Sequence, residues 1–334
     1  MNDMTTEKGR AEAASRPEEP SVAASSAANS ANTGNSGTSG ASASPVTPGA
    51  APQLRERRFP TVGDVLAMLG IALGAQIIVS VLAMLVLLVA GYGTDLTSLA
   101  PQALGRLQAG LYFISMSAAL AGVLYYRRVR GGRGRWAGFA LRGFNPALLL
   151  WAFVLIFAVG VVLEPLLRLL PDVKMDVGRG GWTILMLVVF APIFEELLCR
   201  GVVLGSLRVR YGVTVAWLVS SLFFGVLHVQ PAQVVSASVI GLILGFVYLS
   251  TESLWSVMIL HALNNAVAYL MLMAGYGNTL LIEMIDNRTL YVLIYIVALA
   301  LTAISGYMMA RTLRKMKSAE KSDARPGDKN PATA

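Results

Sequence analysis

The chain has 334 residues, 55% of them hydrophobic and only 14% charged, with a mean hydropathy of +0.61. Soluble domains carry about 25% charged residues, which argues against an ordinary soluble enzyme. The net charge of +8 comes from basic residues at the ends of apolar blocks, where they orient helices against anionic lipid, so membrane lipid is the expected partner and nucleic acid is not.

Residues Met1 to about Gln53 are built from Ser, Ala, Gly, Asn, Thr and Pro, with no charged residue from Ser21 to Gln53. Such a segment cannot bury enough apolar surface to offset its ordering entropy, so residues 1–57 read as a disordered polar tail. The first eight residues lack the apolar core of a secretory signal. Eight apolar blocks of membrane length follow: Val62–Ala90, Leu107–Tyr126, Ala147–Leu170, Trp182–Leu204, Val213–Val229, Val234–Leu249, Leu254–Ala274 and Leu290–Ala310. The fifth and sixth are short and joined near Gln230-Pro231, a pattern that also suits a re-entrant hairpin. Beyond the last block, residues 313–334 read as a second polar tail. The fold expected is an all-α, polytopic transmembrane helix bundle of about eight spans.

Alternate loops differ in charge. One set holds Arg55, Arg57, Arg58, Arg127, Arg128, Arg130, Arg133, Arg135, Arg142, Arg208, Arg210, Arg311, Arg314, Lys315 and Lys317. The other holds Arg106, Lys174, Arg179 and Arg288. This asymmetry places both termini in the cytoplasm of an integral multi-pass protein, expected in a bacterial cell membrane. A single cysteine, Cys199, excludes an intrachain disulfide.

Polar groups inside the apolar blocks carry the functional information. An ionisable side chain at mid-membrane costs about 2.5–3.5 kcal/mol on the insertion scale, so two adjacent ones need a reason. The fourth block reads Phe194-Glu195-Glu196-Leu197-Leu198-Cys199-Arg200. At the helical advance of about 100° per residue, Glu196 and Arg200 share a face and can pair as a packing clamp. Glu195 points about 100° away from Glu196 and has no local cation, which reads as functional. The fifth block ends Phe223-Phe224-Gly225-Val226-Leu227-His228. The seventh carries His261-Ala262-Leu263-Asn264-Asn265, with both asparagines near the face of His261. Each histidine alone is explained by packing. The only two histidines and the one carboxylate cluster all fall within membrane spans, and that coincidence points to a site.

Glu195-Glu196-x-x-x-Arg200, Phe224-x-x-x-His228 and His261-x-x-x-Asn265 follow in this order on successive apolar segments. The pattern resembles that of the CPBP family of intramembrane proteases, which includes CAAX prenyl endopeptidases and bacteriocin-processing and lysostaphin-resistance-like proteins. The resemblance covers residues 182–274, flanked by further transmembrane helices at 58–181 and 275–312. It implies an endopeptidase in which Glu195, with His228, activates a water in a membrane-embedded cavity. His261 and Asn265 would hydrogen-bond the tetrahedral oxyanion, and Glu196 and Arg200 would hold the site together. These residue types suit peptide hydrolysis, which needs a base and donors aimed at the developing oxyanion. The implied partner is a peptide or protein substrate at or in the membrane. No cofactor is expected; the alternative is zinc held by Glu195, His228 and His261.

Other intramembrane protease types do not match. There is no His-Glu-x-x-His and no Gly-x-Gly-Asp, and Gly37-Thr38-Ser39-Gly40 lies in the polar tail. Two readings of other classes compete. One is a proton-coupled transporter using Glu195 and the histidines as a relay, although no duplicated halves occur. The other is a non-catalytic, immunity-type membrane partner.

Overall fold

A computed structural model describes residues 59–91, 99–132, 138–140, 144–171, 177–277 and 279–323. The predicted tail at 1–57 and the last residues, 324–334, lie outside the described residues. Among those described, seven helices are long and apolar enough to cross a membrane. They are α1 (Val62–Val89), α2 (Pro101–Val129), α3 (Pro146–Leu167), α4 (Gly181–Val226), α5 (Pro231–Thr251), α6 (Leu254–Met273) and α7 (Arg288–Asp323). The only β-pairing described is an isolated bridge between Phe139 and Ser253. The protein is a polytopic all-α membrane bundle.

Helices α1, α3 and α6 begin at side-chain caps, whereas α2, α4 and α5 begin without one. Thr61 Oγ1 accepts from the Asp64 amide at 3.1 Å, and the Asp64 carboxylate accepts from the Thr61 amide at 2.7 Å, closing a capping box at α1. Asn145 caps α3, with Pro146 in the first turn where no amide is needed. Ser253 caps α6 directly after Glu252, whose left-handed φ of 50° ends α5. The polar stretch from Arg311 continues α7 as helix to Asp323.

The helix α4 runs for 46 residues and contains both the fourth and fifth predicted blocks. Gly212 interrupts it with φ 80° and ψ 176°, a conformation open to glycine. The chain folds back there, as one contact proves. Arg200 and Phe224 stand equally far on either side of Gly212, about 36 Å apart on a straight helix. Yet the Arg200 guanidinium carbon lies 4.7 Å from the centre of the Phe224 ring. Seven helices therefore supply the eight apolar segments read from the sequence.

Short polar ties collect the ends that carry the basic loops. Arg130 Nε and the Tyr126 hydroxyl, at the end of α2, both donate to Asp64 Oδ1 at the start of α1, each at 2.7 Å. Arg208 pairs with Glu252 at 2.9 Å, Arg210 donates to the Pro60 carbonyl, and the Leu254 amide donates to Gly138. The predicted alternation of loops thus matches which segments share an end of the bundle.

The bundle has an inner and an outer group. On α1 and α7, Ile77, Val81, Leu85, Leu293, Ile296 and Val297 remain exposed, as lipid-facing side chains do. Leu198, Val202, Leu244, Leu254 and Leu260, from α4, α5 and α6, are fully buried. The second half of α4 lies very close to α5. A Cβ at Gly241 would come within 3.1 Å of the Ser221 backbone, and one at Gly225 would collide with Ser238 Oγ and the Val234 carbonyl. Small residues at such crossings let helix backbones touch where no hydrophobic force drives them together.

Candidate active site

The first half of α4 is not regular. Two π-helical stretches, Leu185–Phe190 and Leu197–Leu204, flank the α-helical turn Ala191–Glu196. Within the first, the Ala191 amide bonds to the Met186 carbonyl, five residues back. The same pattern would assign the Leu187 carbonyl to residue 192, which is proline and has no N–H. Asn265 of α6 supplies the missing donor, its Nδ2 reaching the Leu187 carbonyl at 2.9 Å. The Pro192-Ile193-Phe194-Glu195 sequence thereby explains a cross-helix bond and fixes α6 against α4.

Glu196 and Arg200 form the predicted pair, both with 0% exposure and 2.9 Å apart. Arg200 also donates to the Gly241 carbonyl of α5 at 2.8 Å and lies over Phe224. Carboxylate, carbonyl and ring face together hold a cation that could not remain buried alone, while Arg200 Nε and Glu196 Oε2 have no hydrogen-bond partner among the described residues. The same Glu196 oxygen lies 3.0 Å from His261 Nδ1. A carboxylate only accepts, so His261 donates from Nδ1 and presents Nε2 on its far side. That Nε2 is 3.8 Å from Glu195 Oε2.

Glu195 points elsewhere, as its helical offset requires. Its Oε1 accepts from the Tyr112 hydroxyl of α2 at 2.7 Å, and its Oε2 has no hydrogen-bond partner among the described residues. His228 sits just past the end of α4, where Phe224 has a carbonyl no helical amide reaches. His228 Nδ1 lies 3.0 Å from that carbonyl, so it carries the proton and leaves Nε2 with a lone pair in the neutral ring. Both histidine rings meet Phe224 edge-on, with centroids at 5.1 Å for His228 and 5.4 Å for His261. Phe224 thus touches Arg200, His228 and His261 together.

Four sequence-singled residues, Glu195, Glu196, Arg200 and His261, form one polar cluster. His228 joins it through Phe224, and Asn265 is anchored beside it on Leu187. Tyr112 was not foreseen. Its only signal was a tyrosine hydroxyl in an apolar block, a group that seeks a partner when buried.

Zinc bound by Glu195, His228 and His261 would need three donors converging at about 2.0–2.2 Å on one point. Among the described residues, no three His, Cys, Asp or Glu side chains are grouped to hold a metal ion. Nδ1 of each ring is held by Glu196 and by the Phe224 carbonyl, which leaves Nε2 as the remaining donor of each. As placed, these side chains are not grouped around one point, and no step is derived through zinc.

Comparison with known proteins agrees with the motifs. Residues 179–267 match the family model described as type II CAAX prenyl endopeptidase, Rce1-like. Over 92 residues the chain is 26% identical to the Bacillus subtilis (strain 168) protein named "Putative membrane peptidase YdiL". That alignment covers 28% of this chain and 38% of the relative, so the chain spans well under half of that curated protein's length. No solved structure matches. The matched residues run from before Glu195 to beyond Asn265 and leave out Tyr112. The segment that builds most of this site matches an Rce1-like domain, in agreement with the resemblance of its motifs to the CPBP family of intramembrane proteases.

Proposed function

We propose that the chain is an endopeptidase that hydrolyses a peptide bond with a water activated by Glu195 inside the membrane. One observation carries this reading. The Glu195 carboxylate is held through Oε1, while Oε2 stands 3.8 Å from His261 Nε2 with no protein donor described on it. A buried carboxylate presented in this way can take a proton from a water that attacks a carbonyl carbon. His228, with a lone pair left on Nε2, is the second proton acceptor. His261, oriented by Glu196, and Asn265, whose amide has a second N–H, are the donors for the oxyanion. In its doubly protonated form His261 would donate from both nitrogens, and the cluster would then hold two carboxylates against two cations. The substrate is a peptide or protein segment at or within the membrane.

Purified protein in detergent micelles, incubated with a panel of membrane-inserted peptides, tests the reading. Cleavage by the wild type, its loss in Glu195→Gln, and its persistence in the presence of metal chelators are expected. Absence of cleavage across the panel would defeat the endopeptidase reading. Loss of cleavage on chelation, restored by zinc, would replace the glutamate-only mechanism with a metal-assisted one.

A further inference from the structure

The bond that holds Glu195 comes from outside the family-matched segment. Tyr112 lies on α2, 83 residues before Glu195, and donates its hydroxyl to Glu195 Oε1 at 2.7 Å. The next residue, Phe113, places its ring 5.0 Å from Phe190 and 5.6 Å from Phe194, with the latter edge-on. Those two rings stand one turn apart on α4, immediately before Glu195. Two adjacent residues of α2 therefore dock together. Phe113 sets the height of α2 against α4, and Tyr112 reaches the carboxylate at that height.

A glutamate side chain has three rotatable bonds and chemically equivalent oxygens, so without a local bond either oxygen could face the reacting centre. The neighbouring cation does not remove that freedom, because Arg200 is committed to Glu196 and Gly241. The Tyr112 hydroxyl is the donor described on Glu195, and it occupies one oxygen only. The other oxygen, Oε2, faces His261 Nε2. We propose that Tyr112 is the positioning residue of this site: its hydroxyl pins Oε1 of Glu195 so that Oε2 is the oxygen that accepts the proton. This inference rests on the proposed role of Glu195 as base. A neutral donor suits the task, since it fixes the carboxylate without forming the tight ion pair that would weaken it as a base.

Tyr112→Phe removes the hydroxyl and keeps the ring. A hydrogen bond to a charged group of this kind corresponds to a fall in kcat of about 10- to 100-fold per folded molecule. KM should stay within about twofold, because Tyr112 touches the base and not the substrate. Replacing Tyr112 with 4-aminophenylalanine, which restores a donor at similar reach, should bring kcat back to within about fivefold of wild type. In a Glu195→Asp background, whose shorter carboxylate is out of reach of the hydroxyl, Tyr112→Phe should cost less than about threefold.

The outcomes separate cleanly when the full chain is assayed on a peptide the wild type cleaves, with folded protein counted by thermal unfolding. Wild-type kcat in Tyr112→Phe, with Glu195→Gln inactive, overturns the positioning role and leaves the endopeptidase reading standing. A loss that vanishes per folded molecule, or that the amino analogue does not rescue, makes the bond structural and also overturns it. A wild type that cleaves no peptide of the panel removes the endopeptidase reading itself, and this inference with it.

Discussion

His261 Nδ1 lies 3.0 Å from Glu196 Oε1, so of two adjacent glutamates one is spent on holding the imidazole that the other faces. The division follows from helix geometry. Consecutive residues on α4 project about 100° apart, sending Glu196 toward Arg200 and α6 and Glu195 toward α2. Neighbouring carboxylates in one apolar helix thereby acquire different partners and different work.

Glu195→Gln is expected to lower peptide cleavage by about 10²–10⁴-fold, because the amide keeps the shape and can still accept from Tyr112 but cannot act as base. Circular dichroism and thermal unfolding should match the wild type. Near-wild-type turnover in this folded variant would remove Glu195 from the mechanism.

Arg200→Leu leaves Glu196 buried without its cation and should destabilise the protein by about 3–5 kcal/mol, read from thermal unfolding and yield. Replacing both partners, Glu196→Leu with Arg200→Leu, should regain part of that stability, since an apolar pair leaves no orphaned charge. Cleavage should not return, because His261 loses its anchor. A double variant no more stable than Arg200→Leu alone would show that the pair does not behave as a buried, mutually neutralising unit.

Gly225→Ala should cost about 1–3 kcal/mol of stability, as overpacking does. The new methyl would meet Ser238 Oγ and the Val234 carbonyl, forcing α5 away from α4. Cleavage should fall too, because the His228 amide bonds to the Gly225 carbonyl in that turn. An unchanged melting temperature would mean that these helices are not in contact as described.

Much of this arrangement was legible in the sequence, for identifiable reasons. Arg208 and Arg210 split one long apolar run, which announced the reversal that Gly212 performs. The four-residue spacing of Glu196 and Arg200 was a local signal and survives in a π-helical stretch. Other features had no local signal. The π segments disturb the very periodicity from which helices are read, and the Asn265–Leu187 bond depends on which carbonyl Pro192 leaves unpaired. Tyr112 meets Glu195 only through the docking of α2 on α4. The stretch after Arg311 looked like a tail because hydropathy falls there, yet Lys, Arg, Met and Leu are good helix formers and carry α7 onward.

The orientation of the bundle can be checked at Val209, which is 87% exposed near the Gly212 turn. In a Cys199→Ala background, Val209→Cys is expected to react with a membrane-impermeant thiol reagent from the cytoplasmic side if the basic loops set the orientation. Labelling from the opposite side alone would invert the bundle and place both termini outside.

The Glu196–Arg200 pair has a consequence for how the chain enters the membrane. Its other partners, the Gly241 carbonyl and His261, are 41 and 65 residues further along and are synthesised later. When α4 leaves the insertion machinery, neither group has a tertiary partner, and each alone would add about 2.5–3.5 kcal/mol to the insertion free energy. They face each other one turn apart, so the helix carries its own counter-ion into lipid. The spacing that serves the finished site also lets the segment insert before that site exists.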